Sequence, residues 1–180
     1  MPLKEDFAIE WIESGGGPLL LAPRSSIKSW SGTLPTELQG NLTDYARACA
    51  VRDELGVITI GAKQALVLGD EPDRTALILQ RTGELLILRW RWADSEESLL
   101  SAVLSSPGLS GMHFSPAGTL TALAEEYLLF DSACSGSAVT HSLSVELDAG
   151  TFTLGTAIFE PNKNTCALIH RMTTVRREPA

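Results

Sequence analysis

The clearest pattern of apolar and polar positions lies between residues 65 and 92. Apolar runs at Leu66–Leu68, Thr75–Gln80 and Glu84–Trp92 are separated by turn formers at Gly69–Asp73 and Arg81–Gly83. Side chains of a strand alternate between faces, so runs of this length and spacing predict three consecutive strands. In the third, Leu86, Leu88, Trp90 and Trp92 share one face, and Leu85, Ile87, Arg89 and Arg91 share the other. The first face is wholly apolar and aromatic and is expected in the core. The second ends in two arginines, which are expected to reach solvent or an acidic partner.

Elsewhere the same reading places further strands. Phe7–Glu13 alternates, with Phe7, Ile9 and Trp11 on one face, and Ser14–Pro18 breaks it before a short apolar run at Leu19–Ala22. Such a pair fits a hairpin. Thr43 or Asp44 can cap a short helix over residues 44–55. Asp94 or Ser95 can cap another over about 95–105, with Asp94 and Glu97 approximating a capping box and Leu99, Leu100, Val103 and Leu104 forming its apolar face. Met112–Ser115 reads as a strand and Pro116–Gly118 as a turn. Strands then follow at Thr119–Ala122, Tyr127–Asp131, Thr140–Leu147, Phe152–Ile158 and Thr165–Val175, with a turn at Asp148–Gly150. The whole predicts an α+β fold, predominantly antiparallel β, in sandwich-like sheets with one or two short helices. Ala65–Asp70 resembles Glu126–Asp131, which raises the prospect of two pseudo-repeated halves packed face to face.

A chain of 180 residues is expected to form a single domain, residues 1–180, and to bury a sufficient core without metal or disulfide. Its net charge of −8 argues against nucleic acid and anionic membrane as partners and permits a basic protein. The start, Met1–Asp6, lacks the basic-then-apolar order of a signal peptide. The three cysteines, Cys49, Cys134 and Cys166, are odd in number and widely spaced, which suits a reducing cytoplasm rather than a disulfide framework.

Candidate chemistry is sparse. Gly15–Gly17 invites a phosphate loop, but Pro18 and an apolar strand follow where a helix is needed. Asp70, Glu71 and Asp73 sit in too short a turn, interrupted by Pro72, to surround calcium. Asp131, Ser132, Cys134 and His141 include the parts of an orienter, nucleophile and base, without a nucleophile elbow around them. His113 and His170 lie in strand-like segments, and no Cys/His set has zinc spacing. The interleaved Arg89, Trp90, Arg91 and Trp92 could stack on nucleic acid, but alternation sends charges and rings to opposite faces. Neither catalytic nor metal residues are assigned, and no cofactor is expected.

Several segments taken together resemble the immunity protein 21 family of bacterial polymorphic toxin systems. They are Trp11–Ser14 with Gly16–Pro18, Trp30–Gly32, Thr43–Tyr45 with Ala48–Cys49, Leu66–Pro72, Leu88–Trp90 and Leu129–Ala133, in that order. The chain carries three glycines where the family pattern has two, and Phe152 where the closing hairpin often has tyrosine. The resemblance implies a non-enzymatic, cytoplasmic inhibitor that binds a cognate toxin protein. It carries over no binding residues and no oligomeric state. Two other readings compete. A β-sandwich that binds a small molecule or carbohydrate requires a cleft lined by aromatics such as Trp11 and Trp30. A hydrolase requires Asp131, Cys134 and His141 within hydrogen-bond reach of one another.

Overall fold

The computed structural model describes residues 9–35, 42–69, 71, 74–105, 109 and 111–175. Its strands are β1 (Leu19–Pro23), β2 (Leu55–Ile60), β3 (Lys63–Leu68), β4 (Arg74–Leu79), β5 (Leu85–Trp92), β6 (Ser115–Ala122), β7 (Glu125–Asp131), β8 (Leu143–Leu147), β9 (Gly150–Asn162) and β10 (Thr165–Thr174). Three short helices accompany them among the described residues: α1 (Arg24–Ile27), α2 (Asp44–Cys49) and α3 (Glu96–Leu104). The strands form two five-stranded sheets, in the orders β2-β3-β1-β7-β8 and β4-β5-β10-β9-β6. Every pairing between them is antiparallel. The fold is α+β and mostly antiparallel β, as the pattern of the chain predicts.

The sheets stack face to face over one central core. Leu19 and Leu21 of β1, Leu66 and Leu68 of β3, and Tyr127 and Leu129 of β7 meet Leu85, Ile87, Phe152, Leu154 and Met172 of the opposing sheet. Alternation then sends the intervening residues outward, and these are covered too. On the first sheet Leu20, Ala22, Val67 and Phe130 pack under Ile27, Trp30 and Ala48. On the second, Leu86, Leu88, Ala167 and Ile169 pack under Leu99 and Val103 of α3, with Trp11 and Phe114 beside them. Four layers result, helix and loop, sheet, sheet, helix.

This layering corrects the expectation for β5. Leu85–Arg89 is buried on both faces, and Arg89 has no exposed surface, whereas Trp92 is 45% exposed. Trp90 is half-buried and Arg91 is less exposed than Trp92. The near-continuous apolar run from Leu85 to Leu88 is what a strand covered on both sides requires. Burial separates by position along the strand, not by face.

Leu19–Ala22 does not form a hairpin with residues 9–13. Residues 1–8 lie outside the described residues, Ile12 bridges Thr75 at the edge of the second sheet, and β1 lies in the middle of the first. β1 pairs with β3 on one side and with β7, about a hundred residues away, on the other. The two similar segments do not occupy equivalent places in the fold. β3 leads into β4 in the opposite sheet, whereas β7 pairs with the β8 that follows it. The turn expected at Pro116–Gly118 is instead a bulge within β6, where the register against β9 shifts. The helix over 44–55 stops at Cys49, and β2 begins at Leu55.

Candidate functional site

The segments expected to carry chemistry come together chiefly as a structural knot where β1 begins and β7 ends in the first sheet. Asp131 ends β7. Its Oδ2 accepts from Gly15 N at 2.7 Å and its Oδ1 from Ala133 N at 2.9 Å. The glycine turn is thereby tied to the strand end, and it is followed by Pro18 and β1, not by the helix a phosphate loop needs. Ser132 N donates to the Pro18 carbonyl, and the Trp30 indole Nε1 donates to the Ser132 carbonyl at 2.8 Å. Trp30 is 1% exposed. Asp44, also buried, accepts from both Ser31 N and Ser31 Oγ at 2.8 Å and from Arg47. Gly32 holds a φ of +60°, and a Cβ there would lie 2.5 Å from the Ala133 carbonyl oxygen. Both conditions require glycine.

The hydrolase set is not assembled by this arrangement. Both Asp131 oxygens are occupied by backbone donors, and no hydrogen bond joins exposed His141 to Asp131 or Cys134. Cys134 is exposed, and burial of its surroundings together with nearby Asp131 raises its thiol pKa, which disfavours the thiolate. The aromatic cleft is not assembled either. Trp30 packs on the outer face of the first sheet and Trp11 on that of the second. There Trp11 and Trp90 lie 5.6 Å apart by ring centroid, with the Arg74 guanidinium 5.1 and 5.0 Å from the two rings. Asp70 and Asp73 lie outside the described residues. Among the described residues, no group of three or more acidic, histidine or cysteine side chains could hold a metal.

Two features escaped the sequence reading. The first is a buried polar cluster on the inner face of the second sheet. One Arg89 guanidinium nitrogen donates to the Glu71 carbonyl, and Arg91 pairs with the carboxylates of Glu71 at 2.7 Å and Glu54 at 3.6 Å. His170 pairs across the sheet with Ile87 and Thr156, and its Nδ1 lies 2.9 Å from Thr156 Oγ1. Burial first, then Arg89 and Arg91, lower its pKa to about 3, so the ring stays neutral. The arginines within an apolar alternation were the available signal, but local pattern cannot tell a buried arginine from an exposed one.

The second feature is a groove of about 630 Å³ where the first residues of β2 and β6 flank β9 and β10. Leu55, Ala117, Ile158 and Leu168 supply apolar lining, while Asp53 and Glu54 supply carboxylates. His113 also lines it, far in the chain from His141 and His170. Its residues come from four separate stretches, so no contiguous motif marks it.

A family model described as Immunity protein 21 matches residues 10–165. The chain belongs to the immunity protein 21 family. No curated protein and no solved structure matches it. The immunity protein 21 match takes in both the knot around Trp30, Asp44 and Asp131 and nearly all of the groove lining, with Leu168 alone falling beyond it. Membership implies a toxin partner in general and suggests a protein that is not an enzyme. Among the described residues no helix is long and apolar enough to cross a membrane.

Proposed function

We propose that this protein is a cytoplasmic immunity protein of a bacterial polymorphic toxin system, and that it neutralises its cognate toxin by direct protein–protein binding. The observation that carries this reading is the immunity protein 21 match over residues 10–165. The charge of −8 supports it where the toxin is basic. A toxin that acts on nucleic acid must hold phosphate, and an acidic inhibitor is steered toward such a surface. Inhibition then follows from occlusion: the toxin is held with its own working surface covered or its substrate excluded.

Co-expression with the toxin encoded beside this chain tests the reading. Wild type should restore growth and co-purify with the toxin domain. His141→Ala and Cys134→Ser should protect equally well, since neither joins a catalytic constellation. Association with a basic toxin should slow as salt rises, because the screening length shortens to about 8 Å at physiological ionic strength. Wild type that neither binds nor protects would remove the assignment for that pair. Protection lost in a folded His141→Ala variant would restore catalysis as the leading explanation.

A further inference from the structure

We propose that the groove between the starts of β2 and β6 is the toxin-docking site, and that it receives an apolar side chain flanked by lysine or arginine. This rests on the toxin-binding reading above and adds where the contact is made and what chemistry it recognises.

Phe152, Leu154, Thr156 and Ile158 project from the same face of β9. Phe152 and Leu154 are 2% and 3% exposed within the central core, but Ile158 is 58% exposed. Its neighbour across the sheet, Leu168, is 1% exposed. The second sheet thus continues its inward-facing apolar row past the point where the first sheet covers it. Ile158 is a core position without the layer that would complete the core, and the groove is the space that layer would occupy.

Charge then selects the occupant. Asp53 and Glu54 line the groove, and among the described residues no lysine or arginine does. The Glu54 carboxylate is shared with Arg91 at 3.6 Å, whereas exposed Asp53 makes no ion pair among the described residues. An apolar floor beside an exposed carboxylate favours a hydrophobic side chain with a cation next to it. A second copy of this chain is a poor occupant, because two molecules of charge −8 repel each other. A basic toxin meets both requirements.

The test titrates labelled wild type, Ile158→Asn, Asp53→Lys and a control, Glu146→Lys, with the toxin domain encoded beside this chain. Glu146 is exposed on β8 and lies outside the groove lining. Ile158 and Asp53 are both exposed, so the variants should keep the wild-type circular dichroism and melting temperature. Each groove variant should bind about tenfold more weakly or worse, with the control within about twofold. The Asp53→Lys defect should shrink at high salt and the Ile158→Asn defect should not. Hydrogen exchange on wild type should slow at residues 53–55 and around Ile158 when toxin is added. Wild-type binding with both groove variants unaffected would overturn the docking site and leave toxin binding standing. Wild type that fails to bind would overturn both. A concentration-dependent dimer of the chain alone, abolished by Ile158→Asn, would assign the groove to self-association instead.

Discussion

The Trp30 indole nitrogen donates to the Ser132 carbonyl at 2.8 Å, joining positions 102 residues apart. In return Gly136 N donates to the Trp30 carbonyl at 2.8 Å, so the loop after β7 is stitched to the segment after α1 from both sides. Trp30, Asp44 and Asp131 hold one another's loops in place, and Trp30 and Asp44 are buried.

Trp30→Ala should therefore lower stability by about 3–5 kcal/mol, through lost burial and an unfilled cavity. Trp30→Phe keeps much of the ring but strands the Ser132 carbonyl, which costs about 1–3 kcal/mol. Urea unfolding of the two variants measures the difference. A loss below about 1 kcal/mol for Trp30→Ala would place this ring outside the core.

His170 makes stability depend on pH. Its folded pKa, about 3, lies below the ordinary value of 6.5, so below neutrality the unfolded chain binds a proton that the folded one does not. Stability is full above about pH 6.5 and declines as pH falls toward 3. At pH 5 the loss should be about 2 kcal/mol. Arg89 and Arg91 face the ring from β5 and Thr156 from β9, and Glu71 holds Arg91. His170→Gln should flatten the urea midpoint between pH 6.5 and 5, a window largely above carboxylate titration. An unchanged slope in that variant would mean another group controls it.

The cap of α3 separates two neighbouring residues. Ser95 Oγ accepts from Ser98 N at 3.1 Å, and Ser98 Oγ accepts from Ser95 N at 3.1 Å. The box is Ser95 with Ser98, not Asp94 with Glu97. Ser95→Ala should cost about 1 kcal/mol and Asp94→Ala less than about 0.5. The reverse order in thermal melts would return the cap to Asp94.

Much of the fold was legible because it is written in local period. The runs at 66–68, 75–80 and 84–92 became β3, β4 and β5, and Thr43 and Ser95 capped their helices as hydroxyl side chains do before a helical segment. The knot was legible in part: its residues stood out as segments, but their hydrogen bonds span up to 116 residues, and no local rule pairs Gly15 with Asp131. The groove was not legible at all. It arises where one sheet outruns the other, and Ile158 looks like any other alternating core residue in the sequence.

By itself the sequence determined most of the strand segments, the starts of the two capped helices, the acidic balance and the ordered set of segments that marks the family. Tertiary structure decided which faces are dry, that β1 sits between β3 and β7, that Arg89 and His170 are interior, and that Ile158 is left uncovered. The reason is physical. Alternation along a strand is set by backbone geometry and tells which side chains travel together, but whether a face meets water depends on the layer laid over it, and that layer comes from distant parts of the chain.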